Sequence, residues 1–109
     1  MGSMNPTDVK QTIAISSTDT LQKYIKTVAT DIGPARIKAV QAQSSAADGS
    51  VKIYDATSAS TASTLVFEAK WATAANESFT FYLPQNGIRC KTAMHAVLSN
   101  CDFLVVTFD

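Results

Sequence analysis

The side chains in this sequence with the chemistry for acid–base or metal-binding work are one histidine, His95, two cysteines, Cys90 and Cys101, and nine carboxylates. A catalytic imidazole needs a nucleophile and an orienting acid within hydrogen-bond reach. Asp102 lies seven positions after His95 and would approach it across a hairpin at Ser99-Asn100. No motif supplies a nucleophile, so a structural or interface role is expected for His95. Neither cysteine has the nearby thiol or imidazole ligands of a zinc centre, and two small buried thiols are expected rather than a disulfide. The carboxylates Asp55, Glu68, Glu77 and Asp102 are scattered over different turns and strands, where solvated surface groups are the expectation. Asp55 is singled out, because it closes the Ile53-Tyr54 run and is placed to accept loop amides as an Asx-type cap. A phosphate loop, an HExxH motif, an EF-hand and a CxxC pair are all absent from the sequence. No catalytic residue, metal ligand or cofactor site is therefore predicted, and the expectation is a protein without enzymatic activity.

The charge balance points the same way. Nine basic and nine acidic residues cancel, and neither sign forms a run along the chain. Nucleic-acid binding by phosphate neutralisation and attraction to an anionic membrane both lose their usual driving force. Low net charge is compatible with close self-association. A hydrophobic fraction of 46% over 109 residues suits one continuous core. Met1–Ser3 reads as an expression-tag remnant and residues 4–109 as a single β domain.

The elements that would position these groups are strands. Gln11-Thr12-Ile13-Ala14-Ile15-Ser16 alternates apolar and polar residues. Residues 18–29 fit one helical face through Leu21, Ile25 and Val28, but the β-branched residues within Tyr24-Ile25-Lys26-Thr27-Val28 favour a strand. Beyond Gly33-Pro34, the run from Arg36 to Ala42 predicts a strand with Ile37 and Ala39 on one face and Arg36 and Lys38 on the other. Asp48-Gly49 is the dipeptide of a hairpin turn. Asp55 to Ser63 reads as a loop. Leu65, Phe67, Ala69 and Trp71 are expected to share a face, Phe79, Phe81 and Leu83 to form a second apolar stripe, and Asn86-Gly87 to mark a turn. Met94, Ala96 and Leu98 oppose Ala93, His95 and Val97. Phe103-Leu104-Val105-Val106 is apolar on both faces and belongs in mid-sheet or against a neighbouring subunit.

Seven or eight short strands with turns every eight to twelve residues predict an all-β fold: an antiparallel β-sandwich, jelly-roll-like, or a small β-barrel. The aromatic residues read mainly as strand-face packing. Arg36, Lys38 and Lys52 would form a small basic surface if their strands were adjacent, suited to an acidic partner. Together with Asp55, Trp71 and Glu77 they make up the candidate interface residues. The expected contact elements are the Ala56 to Thr64 loop, the Ala72 to Glu77 turn and one exposed strand edge.

Gly33-Pro34-Ala35-Arg36, the run Asp48-Gly49-Ser50-Val51-Lys52-Ile53-Tyr54-Asp55, the segment Leu83-Pro84-Gln85-Asn86-Gly87-Ile88 and the closing β-rich hairpin form an order of elements over the last three-quarters of the chain. That order resembles small virion structural proteins of tailed bacteriophages, especially marine and cyanobacterial phages. The resemblance implies a virion protein that decorates or cements a phage head or completes a neck or tail. Its partners would be major capsid, neck or tail proteins and further copies of itself, with no nucleic acid, membrane or cofactor. A carbohydrate-binding or host-attachment module is the alternative, and it predicts an exposed aromatic such as Trp71 beside a shallow groove.

Overall fold

A computed structural model describes residues 10–25, 28–58, 63–72, 77–84 and 86–109. Met1–Ser3, the centre of the 56–64 loop and most of the 72–77 turn lie outside the described residues. The described chain is all-β. Its strands are β1 (Lys10–Gln11), β2 (Asp19–Thr20), β3 (Gln22–Ile25), β4 (Val28–Asp31), β5 (Ala35–Ser44), β6 (Gly49–Asp55), β7 (Thr64–Trp71), β8 (Ser78–Tyr82), β9 (Ile88–Cys90), β10 (His95–Ser99) and β11 (Cys101–Phe108). They pair antiparallel. The first sheet runs β1-β11-β5-β8, with β9 also on β5; the second runs β2-β10-β6-β7; β3 and β4 form a separate hairpin.

Period-two alternation places one face of each sheet on a common core. Ile37, Val40, Ala42, Leu104, Val106 and Phe108 come from the first sheet, and Val51, Ile53, Ala96 and Trp71 from the second. Leu104, Val106, Val51 and Ile53 are fully buried. Each such side chain contributes roughly 1.5–3 kcal/mol relative to exposure. β11 is apolar on both sides and lies between β1 and β5, where both of its hydrogen-bonding edges are covered.

Asp48-Gly49 and Ser99-Asn100 do not close hairpins within a sheet. They are corners at which the chain passes from one sheet to the other: Ser44 pairs with Cys101 in the first sheet, and Ser50 pairs with Ser99 in the second. The two corners lie side by side. Ser45 N donates to Asn100 O (2.9 Å), and Asn100 Nδ2 donates to Ala47 O (2.9 Å). The positive dihedrals fall on Asp48 (φ 57°) and Asn100 (φ 51°), residue types that tolerate the left-handed region. Gly49 serves a different purpose, since a Cβ there would collide with the indole of Trp71.

Side-chain parity also differs from simple alternation in β5 and β7. The core residues Ile37 and Val40 pair with Phe108 and Val106, so β5 carries one residue more than β11 over this interval. That bulge puts Ala39 opposite Thr107 and Tyr82, on the face away from the core, rather than beside Ile37. A second irregularity between Ile53 and Tyr54 pairs Leu65 with Tyr54. Leu65 is thereby exposed, whereas Val66 packs on the core. Gln11 to Ser16 is not one strand. After β1 the chain follows β11 through Thr12 N to Val106 O (2.9 Å) and an isolated Ile15–Leu104 bridge. Within residues 18–29 the chain is strand at 19–20, 22–25 and 28–29, and 26–27 lie outside the described residues. Pro84 and Gly87 form a turn (Gly87 N to Pro84 O, 3.0 Å) that leaves the chain on the same edge of β5, as β8 before it and β9 after it. Gly87 has φ 74° and abuts Ile37 O, so a side chain is excluded there.

Candidate protein-contact surface

The side chains singled out for chemistry are fastened into structure. Both oxygens of Asp55 point at the 91–93 loop: Oδ2 accepts from Lys91 N (2.9 Å), and Oδ1 accepts from Thr92 N (2.8 Å) and Ala93 N (3.4 Å). The cap is real but long-range, tying the end of β6 to the link between the two sheets. Burial opposes its ionised form, but three amide donors and the nearby Lys91 charge outweigh that and hold its carboxyl below the usual value. His95 Nδ1 lies 2.9 Å from Thr20 Oγ1, whose hydroxyl also reaches Thr57 O at 2.9 Å. Because that hydroxyl has one proton and gives it to the carbonyl, the Nδ1–H tautomer donates to Thr20. His95 thus fastens β2 to β10, and Asp102 belongs to the other sheet instead of approaching it across a hairpin.

Cys90 and Cys101 are free and buried. Burial, with the Asp55 charge adding to it, pushes the Cys90 thiol up to about 11, and burial also raises Cys101. Thiolate is the reactive form. Native protein is therefore expected to resist a thiol-specific disulfide reagent at pH 8 and to titrate two thiols in denaturant. Rapid labelling of either cysteine in the folded state would contradict the assignment. Among the described residues, no group of three or more His, Cys, Asp or Glu side chains is arranged to hold a metal ion.

The six candidate interface residues do not converge. Arg36 and Lys38 lie on β5 in the first sheet and Lys52 on β6 in the second, so the basic surface expected of adjacent strands does not form. Glu77 is exposed, while its backbone N (3.0 Å) and carbonyl are hydrogen-bonded to the Ser44 hydroxyl. Trp71 is only 8% exposed, stacks on Phe79 at 5.2 Å and donates its Nε1–H to Ala46 O at 3.1 Å. The exposed aromatic predicted for a sugar-binding groove is therefore not Trp71.

Exposed aromatics occur on the outer face of the first sheet. Register places Gln11, Thr107, Ala39 and Tyr82 in one row across it, Val105, Gln41 and Thr80 in the next, and Phe103, Gln43 and Ser78 in the third. Not one of these ten side chains is charged. Tyr82 is 81% exposed and Phe103 is 39% exposed. Phe103, Gln41, Gln43 and Thr80 also border a shallow concavity of about 230 Å³. The outer face of the second sheet differs, with Lys52 opposite Glu68 and a Lys70–Glu68 ion pair at 3.6 Å. The available sequence signals were the alternate glutamines at 41 and 43 and the two-sided apolarity of β11. The combination needed the strand order.

Comparison with protein-family models, with curated proteins and with solved structures finds no match.

Proposed function

We propose that this is a non-enzymatic assembly protein that docks through the outer face of its first sheet. The observation that carries the reading is that face itself: ten uncharged side chains with Tyr82 and Phe103 exposed among glutamine, serine and threonine. Interface cores are depleted in charge and enriched in aromatic residues, while amide and hydroxyl groups supply hydrogen bonds without the cost of desolvating ions. The shared core and the corner crossings support a jelly-roll-like sandwich of the two larger sheets, a rigid frame for such a surface. With the resemblance to small phage virion proteins, the favoured role is decoration or cementing of a phage head, and completion of a neck or tail is the variant of that role. Repetition over a lattice makes modest single contacts strong in aggregate.

Gln41 sits at the centre of the face, exposed, between Val105 and Thr80. Gln41→Lys should leave folding unchanged while reducing binding to expanded phage heads by at least roughly tenfold, since one unpaired buried charge costs several kcal/mol. Co-sedimentation of wild-type and variant protein with heads lacking the endogenous protein measures it. Wild-type protein that fails to bind heads, necks or tails, or a variant that binds equally well, would remove this reading.

A further inference from the structure

The charge that cancels along the sequence is separated in space. At the corner end of the molecule Asp48, Glu77 and Asp102 are all exposed. Asp48 ends the first corner, Asp102 follows Cys101, the partner of Ser44, and Glu77 is bonded to Ser44. The nearest base in register is Lys70, opposite Ser50, and it is engaged by Glu68 at 3.6 Å.

The opposite end of β5 is basic. Arg36 pairs in register with Arg89, Lys10 with Phe108, Lys91 follows Cys90, and Lys38 lies two residues into the strand from Arg36. Among the described residues the acidic groups at this end are Asp19, Asp55 and Asp109, the last joined to Arg36 by two backbone hydrogen bonds, against the five basic side chains. Of those three, Asp55 is occupied by amides of the 91–93 loop. On the β3–β4 hairpin the Asp31 carboxylate accepts from Gln22 Nε2 at 2.9 Å, while Lys23 borders a concavity with Lys10. Like charges directly opposite on neighbouring strands repel, yet Arg36 and Arg89 are so placed. Among the described residues neither guanidinium has a hydrogen bond or ion pair, and with Pro34 and Asp109 the two border an open concavity of about 320 Å³.

We infer that the Arg36–Arg89 end of one copy docks the Asp48–Glu77–Asp102 end of a second copy, head to tail. The eight steps from Arg36 to Ser44 along β5 hold the two ends about 25 Å apart. That is several Debye lengths at physiological salt, so the ends do not neutralise each other within one molecule and are free to do so between molecules. Guanidinium groups grip carboxylates in bidentate fashion, which fits two arginines facing three carboxylates. The contact uses two different surfaces, so it propagates into a ring or a filament rather than closing a dimer. It uses the ends of the molecule and leaves the uncharged face free, and it does not rest on the function proposed for that face.

Sedimentation equilibrium of the full chain tests it. Wild-type protein should associate with concentration in about 20 mM salt, and the association should weaken at least roughly tenfold in about 500 mM salt. An R36E/R89E variant, acidic at both ends, should be monomeric, as should a D48K/E77K/D102K variant, basic at both ends. An equimolar mixture of the two should associate again with both variants folded by circular dichroism, and an R36E/R89E protein mixed with an R36E/R89E/D31K/E68K control, reversed away from the corner end, should not. R89Q and D102N serve where a charge reversal does not fold, each weakening wild-type association. Q41K should associate as wild type does, which separates this contact from docking through the face. Wild-type protein that stays monomeric at low salt, variants that associate unchanged, or a mixture that stays dissociated would overturn the inference.

Discussion

Asp55→Ala lowers the free energy of unfolding by about 3 kcal/mol and removes this carboxylate's contribution to the acid sensitivity of the fold. The size follows from the number and kind of bonds lost. Three backbone donors at Lys91, Thr92 and Ala93 converge on one carboxylate. Hydrogen bonds to a charged acceptor are worth roughly 1.5–3 kcal/mol, and a donor left in place without its acceptor costs a further penalty. Partial exposure admits water to the vacated position, which keeps the total below the sum of three such bonds. The anchored loop joins β9 in the first sheet to β10 in the second, so its release loosens the connection between sheets rather than a peripheral turn.

The pH dependence follows from the direction of the Asp55 shift. Its folded carboxyl ionises below the ordinary value of 3.8, so the unfolded chain takes up the proton first as pH falls. The stabilisation is fully present above the unfolded value and is lost as pH drops through the folded one. Chemical denaturation at pH 7 and at successive steps below 4 should show wild type losing stability steeply while Asp55→Asn loses less. Equal slopes for the two proteins would show that the carboxylate is not the acid-sensitive group.

Gly49→Ala is expected to cost a similar amount, about 2–4 kcal/mol, although alanine is normally favoured over glycine in a strand. Gly49 is paired with Trp71, and an added Cβ would lie well inside van der Waals contact of indole Cε2, Cζ2 and Nε1. A free side chain would swing aside. This indole is held by its stack on Phe79, by its bond to Ala46 O and by the core around it. The collision is therefore relieved only by breaking one of those contacts or shifting a strand. A double-mutant cycle isolates the cause: in a Trp71→Leu background the added methyl should cost less than about 1 kcal/mol. A penalty that persists in that background would place the strain in the backbone instead of the ring.

Strand content was legible in the chain because two-residue alternation is a local property. β6, β8 and β11 can be read from Val51 and Ile53, from Phe79 and Phe81, and from the apolar run of Phe103 to Val106. The parity of Ala39 and Leu65 was not legible. One extra residue in a strand turns every later side chain to the other face, and a bulge is decided by the partner strand. Asp48-Gly49 and Ser99-Asn100 read as turns, but a local signal does not say whether the chain returns beside itself or crosses to a second sheet. Asp55 was recognisable as a cap, whereas its recipients lie 36 to 38 residues away.

The sequence by itself determined an all-β chain with a core of Ile, Leu, Val and Phe, two thiols suited to burial and no short-range catalytic or metal motif, because each depends on residue type and near-neighbour spacing. Only the tertiary structure decided which strands are neighbours. Strand order gathers Gln41, Gln43, Thr80, Tyr82 and Phe103 from three strands into one uncharged face. It also sends Asp48, Glu77 and Asp102 to one end and Arg36 and Arg89 to the other, which a net charge of zero conceals. The physical reason is that fields and contact surfaces depend on distances through space, and in a sheet those distances are set by pairing register over long separations along the chain.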